Sequence, residues 1–172
     1  MGNFVISDAS TLILLQKITL LDKLVKNFKF IITQGVSNEA VIKGEKIKSK
    51  DAYLLENKIN NNLIIIKKIK DKKRVDYTIK EFGLGEGEAE AIVLFLQENA
   101  DTLATDDHKA INVCKIYRIP FMTALTFVVS ASAIKLIAKD EAKEMIKDLG
   151  VYGRYKDELI YKSLNCIGGK ND

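Results

Sequence analysis

The stretch "GLGEGEAEAIVLFLQENADTLATDD", residues 83–107, carries seven carboxylates (Glu86, Glu88, Glu90, Glu98, Asp101, Asp106 and Asp107) and no Lys or Arg. Its "AIVLFLQ" (91–97) is apolar on every side, so a helix over 86–98 has to be buried. "DTLAT" (101–105) then reads as a short strand without polar alternation, as expected where both faces are covered. The acids stand at the start of that helix and at the end of that strand.

Working outward, "FVIS" (4–7), "FKFIIT" (28–33), "LIII" (63–66) and "IPFMT" (119–123) are further short apolar runs rich in β-branched residues. Between them lie stretches of helical character at 10–26 (interrupted near Thr19), 35–58 and 107–117; beyond the last strand come 124–138, 140–149 and 155–165. Strand alternating with helix predicts a three-layer α/β/α sandwich around a central, mainly parallel sheet, joined by right-handed crossovers. The 172 residues fit one domain over 1–172, with the helices of about 124–165 packing on it. Such sheets place their sites at the carboxyl ends of the strands.

Four regions bring acids to that rim. Asp8 ends the first strand, and Glu39 lies in the helix after the second. Glu88 and Glu90 open the helix before the fourth strand, and Thr105, Asp106 and Asp107 end it. Carboxylates crowded on a partly buried rim either take up protons or share a cation. Oxygen donors without Cys or His suit Mg²⁺ or Mn²⁺. Each acid also has a plainer reading: Asp8 as a helix N-cap (a role Ser10 could take instead), and Glu86, Glu88 and Glu90 as complements to a helix macrodipole.

The chain is 47% hydrophobic and 29% charged, as in ordinary globular proteins, and no apolar run approaches a membrane span. The two cysteines, 114 and 166, form no CxxC pair, and there is a single histidine. With no signal peptide in "MGNFVISD", this points to a reducing cytoplasm and away from zinc. His108 has no recognisable Ser or Cys partner and reads as a surface side chain. "GLGEGE" is not a dinucleotide fingerprint, because Glu88 stands where glycine is needed and pyrophosphate would meet three glutamates. Residues 1–80 hold 16 basic and 8 acidic side chains, and residues 81–172 hold 11 and 15. The basic half suggests a polyanionic partner. Its densest run is "KKIKDKKR" (67–74), with Lys67, Lys68, Lys70, Lys72, Lys73 and Arg74, followed by the weaker "KGEKIKSK" (43–50). The first reads either as a solvated loop or as a contact to phosphate backbone.

In order and spacing, "VISDASTLILLQKITLLDKL" (5–24), "IITQGVSNEAV" (31–41), "LGEGEAEAIVLFLQENADTLATDDHKA" (84–110) and "RIPFMTALTFVV" (118–129) resemble the PIN-domain nucleases. The likeness is greatest to a prokaryotic, toxin-like group carrying GEAEAI, here 87–92. "GVYGRYKDELIYKSL" (150–164) extends it over nearly the whole chain. The resemblance implies a Rossmann-like fold and divalent-metal-dependent RNA cleavage, often by the toxin of a toxin–antitoxin pair and often in a homodimer. It places the family's acids on Asp8, Glu39, Glu88 and Asp107, with Glu90 and Asp106 as neighbouring candidates and Ser10 and Thr105 in support. It also implies one or two Mg²⁺ or Mn²⁺ ions, an RNA substrate and a protein antitoxin as partner. The sequence departs from the group at Ile111, where a basic residue is common, and at Thr123–Ala124, where Gly-Thr is usual. Two other classes compete. A catalytically silent RNA-binding or regulatory module would share the same side chains. A phosphoacceptor receiver domain would need an acid pair after the first strand and an aspartate after the third. The nearly uncharged helix 124–138 requires burial in a core or at a subunit interface.

Overall fold

The computed structural model describes residues 4–42 and 50–168. Its order is β1 (Phe4–Ser7), α1 (Ala9–Lys17), α2 (Leu21–Leu24), β2 (Lys29–Ile32), α3 (Gln34–Ser37), a π-helical turn (Asn38–Ile42), α4 (Lys50–Asn60), β3 (Ile64–Ile66), α5 (Lys72–Phe82), α6 (Glu86–Glu98), β4 (Thr102–Ala104), α7 (His108–Tyr117), β5 (Phe121–Met122), α8 (Ala124–Ala133), α9 (Lys139–Tyr152) and α10 (Asp157–Gly168). The five strands form one sheet in the order β3-β2-β1-β4-β5, every pair parallel. This is the Rossmann-like, three-layer α/β/α architecture expected from the alternating apolar runs.

Strand periodicity explains the layers. Val5, Phe30, Ile32, Ile64 and Ala104 face one side, packing with Leu12 of α1, Leu55 of α4, Phe127 of α8 and Ile146 of α9. Ile6, Ile31 and Leu103 face the other, against Val75 of α5, Ile92 of α6 and Val113 of α7. With both faces covered, the strands need apolar residues pointing both ways, and Val5–Ile6, Phe30–Ile31–Ile32 and Leu103–Ala104 supply them. β1 is central, and the strand order reverses between β1 and β4, the place where such sheets open a crevice.

One helical expectation holds and three change. The helix expected over 10–26 does break, at Thr19, whose φ of 60° is incompatible with continuing it. The span 35–58 contains the π-helical turn, and 43–49, most of the second basic stretch, lies outside the described residues. The helix expected to reach 138 stops at Ala133, with Lys135 left-handed at φ 60°. Residues 72–82, whose first three belong to the run read as a basic loop, form α5. Asp71 caps it by accepting from the Arg74 N–H at 3.0 Å, and Gly83 ends it in the left-handed conformation at φ 61°.

Candidate active site

One row of residues leaves the sheet at its carboxyl rim. Ile6 pairs with Ile31, Ser7 with Ala104, Ile32 with Ile66, and Ala104 with Met122. Extending that register sets Lys67, Thr33, Asp8, Thr105 and Thr123 side by side at strand spacing. Three of the five are N-caps. Asp8 Oδ1 accepts from the Thr11 N–H (2.8 Å), Thr33 Oγ1 from Val36 N–H (3.1 Å) and Thr123 Oγ1 from Thr126 N–H (3.2 Å). The plainer reading of Asp8 as a cap is therefore correct for one of its oxygens, and Ser10 does not take the cap. The other oxygen, Oδ2, is buried and has no hydrogen-bond partner among the described residues. Burial raises the Asp8 carboxyl to about 6, against hydrogen bonding from the Thr105 and Thr11 side, and the charge of Asp106 adds to the rise.

Asp106 and Asp107 part company. Asp106 accepts from the Tyr155 hydroxyl, the Thr11 hydroxyl (2.9 Å) and the Ala124 N–H (3.0 Å), so both its oxygens are engaged. Burial raises its carboxyl above the ordinary range, opposed by these donors. Tyr155 in turn is held strongly in its protonated, donating form, by burial first and then by the adjoining carboxylate. Asp107 caps α7 through Oδ1 (Ala110 N–H, 2.8 Å), and its own N–H reaches Thr105 Oγ1 at 3.3 Å. Ser10 is exposed in the first turn of α1 and lines an open cavity with Asp106 and Asp107.

Two of the glutamates, Glu39 and Glu90, stand on the β2 side. Glu90 accepts from the Thr33 hydroxyl at 2.5 Å, and its carboxylate lies against Gly35, where a Cβ would come within 2.5 Å of it. The Glu39 carboxylate lies 3.2 Å from where a Gly87 Cβ would be, and Glu88 folds back over Gly85. Glu39 and Glu90 thus reach the junction of α3, the π-helical turn and α6, while Glu88 turns back onto the start of its own helix. No three His, Cys, Asp or Glu side chains among the described residues form a finished metal cage. The donor chemistry nonetheless fits a hard divalent cation. The rim offers oxygen donors alone, and the buried Asp8 Oδ2 lacks the partner that a buried charge requires.

Of the basic run, Lys67 stands on the rim two strands from Asp8, but its side chain and the residues after it are tied elsewhere. Lys67 pairs with Glu98, and the Lys68 and Lys70 backbones bond to Gln97. Both partners are in the last turn of α6, while Glu88 and Glu90 are in its first two, about 10–15 Å away along the axis. Lys72, Lys73 and Arg74 open α5, the end remote from its junction with α6. Thr33, Thr11 and Tyr155 escape a reading of the sequence: they lie after β2, within α1 and between α9 and α10, and nothing local shows which carboxylate each hydroxyl reaches.

A doubly wound parallel sheet with carboxylates along its carboxyl rim defines a Rossmann-like α/β/α protein of the PIN architecture. The family model DUF3368, described as a PIN domain, matches residues 4–167, and the chain belongs to that family. PIN domains are in general metal-dependent nucleases. The crystal structure of PAE2754 from Pyrobaculum aerophilum shares the fold, with a TM-score of 0.55 and 18% identity over 77% of this chain and 99% of that one. No curated protein matches the chain.

Proposed function

We propose that this chain is a ribonuclease that cleaves RNA phosphodiester bonds with one or two Mg²⁺ or Mn²⁺ ions, held by Asp8, Glu39, Glu88 and Asp107. The observation that carries this reading is the unpartnered Asp8 Oδ2, buried at the end of the central strand where the strand order reverses. When bound, a divalent ion supplies a water of lowered pKa and neutralises charge at the leaving oxygen. The chain's own contribution is to hold acids ready. The Thr11 N–H fixes Asp8 and leaves its second oxygen free, and the Ala110 N–H does the same for Asp107. Asp106, saturated by three donors, serves to clamp α1, α8 and Tyr155 together rather than to bind a cation. Thr33, beside Asp8 in the register, holds Glu90 at the rim through Oε2, while Glu88 turns back over Gly85, so Glu90 stands with Glu88 as the acid α6 offers. The exposed Ser10 hydroxyl supports a phosphate by hydrogen bonding, and Thr105 sets the turn carrying Asp107.

Labelled single-stranded RNA incubated with Mn²⁺ or Mg²⁺ should be cut, and EDTA should stop the reaction. Asp8→Asn, which preserves size and cap, should cut at least about 100-fold more slowly with the fold intact. Undiminished cleavage by that variant would remove Asp8 from the site. The resemblance of 87–92 to the toxin-like group supports a toxin's role, which growth arrest on expression, relieved by a genetically linked partner, would test. A catalytically silent RNA-binding module is the second reading, favoured by the lack of a finished acid cage among the described residues. RNA binding without cleavage under any metal would establish it. The receiver reading falls with the family match, and β3 runs into Lys67 rather than an aspartate.

A further inference from the structure

The cavity beside the acids is built unlike the rest of the rim. It has a volume of about 520 Å³, within the range of sites that hold small molecules. Asp106 and Asp107 form its inner end; Ile13 and Leu14 of α1 give it an apolar wall; Tyr152, Arg154 and Lys17 stand around it. Tyr152, the last residue of α9, is 50% exposed, and the Lys17 ammonium sits 5.2 Å over its ring. Lys17 is also paired with Asp51, at 3.4 Å. Arg154 is exposed and makes no hydrogen bond or ion pair among the described residues. The segment 153–155 is held over the cavity by the Tyr155 hydroxyl on Asp106, which fixes the position of these groups relative to the acids.

Lys17 covers one face of the half-exposed Tyr152 ring and is shared with Asp51; the ring's other face, the apolar wall and the Arg154 guanidinium suit a base and the phosphate next to it. They are poorly matched to a purely apolar ligand. We propose that this cavity binds one nucleotide of single-stranded RNA next to the scissile bond, its base stacked on Tyr152 and its phosphate on Arg154. The subsite rests on the ribonuclease reading for its place beside the reaction. It also assigns the grip on substrate to the α1–α9 side of the rim, away from the lysines of 67–74.

The test measures binding and cleavage separately. A fluorescent single-stranded oligoribonucleotide is titrated with the full chain in EDTA, where no cleavage occurs. Tyr152→Ala should raise Kd about fivefold or more, the lower end of what one stacked base supplies, and Tyr152→Phe should restore it. Arg154→Gln should weaken binding to every sequence alike and flatten the log–log salt dependence by about 0.7. Circular dichroism of each variant checks that the fold is kept. Unchanged affinity in Tyr152→Ala and Arg154→Gln, or no binding by the wild type, overturns the subsite. So does equal loss in Tyr152→Ala and Tyr152→Phe. A competing acidic or apolar peptide that binds while RNA does not would make the cavity a protein-docking site instead. Cleavage in Mn²⁺ by variants that bind as wild type would sink the subsite and leave the nuclease standing. Weakened RNA binding with no cleavage by any form would do the reverse.

Discussion

Asp8 carries two demands on one carboxylate. One oxygen caps α1; the other is buried with no hydrogen-bond partner among the described residues. Burial raises the group from 3.8 to about 6, so the folded state holds this proton more tightly than the unfolded chain does. The Asp8 contribution to stability is therefore fully present below about pH 4 and is lost as pH rises through about 6. By linkage, a shift of about two units is worth about 3 kcal/mol. In EDTA, Asp8→Asn should match the wild type near pH 4 and unfold at higher denaturant by pH 8, a gap that opens across this window. A gap that does not change with pH would show that the ionised oxygen is partnered. The Asp8 cap is legible in the sequence, since an Asp stands directly after a strand. The orphaned oxygen is not legible, because its burial comes from residues distant in the chain.

Among the elements, α5 and α6 form the pair that separates charge. The lysines of α5 mask it in the sequence: Val75, Ile79 and Phe82 have helical spacing, and Asp71 and Gly83 mark its ends, but charge dominates the first turn. Its existence turns part of an expected loop into a helix start. Lys67 is committed to Glu98, whose carboxyl it holds below the ordinary range. Replacing Lys67, Lys68, Lys70, Lys72, Lys73 and Arg74 by Gln tests whether they grip phosphates. If they bind RNA beside the acids, the salt slope should fall by about 0.7 for each phosphate released. From their position at the far ends of α5 and α6, the expected change is small, equivalent to about one or two phosphates for an RNA long enough to reach them. A change equivalent to about four or more would place the main RNA track along this helix pair and away from Tyr152 and Arg154.

For the molecule as a whole, the acids on the rim are an unfavourable arrangement that a cation would relieve. A divalent ion that binds only the folded chain stabilises it by about 2.7 kcal/mol at a hundredfold excess over Kd. For a chain of this length that raises Tm by roughly 5–10 °C. Mg²⁺ and Mn²⁺ should both produce the rise over EDTA, and Asp8→Asn should reduce it. A Tm that ignores saturating Mn²⁺ would mean that the rim is no metal site. α8 bears on assembly. Ala124, Leu125, Phe127, Val128 and Ala131 are buried within the chain itself, so its lack of charge calls for no partner. The homodimer expectation then rests on the family resemblance. Sedimentation at micromolar concentration should give twice 19.3 kDa if it holds, and one chain's mass if it does not. No helix among the described residues is long and apolar enough to cross a membrane.

The sequence by itself determined the layers. Runs such as "FKFIIT" and "DTLAT" can be satisfied only by strands covered on both faces, and α6 occupies 86–98 as its apolar run requires. It also put Asp8, Asp106 and Asp107 at the rim, because residues that follow a parallel strand stand at the carboxyl edge. Tertiary structure alone decided which acids remain available. Asp106 and Asp107 are adjacent and chemically identical, yet one is saturated by Tyr155, Thr11 and Ala124, and the other keeps a free oxygen. Those donors come from 49, 95 and 18 residues away, and a hydrogen bond closed over such distances leaves no periodic trace in the chain.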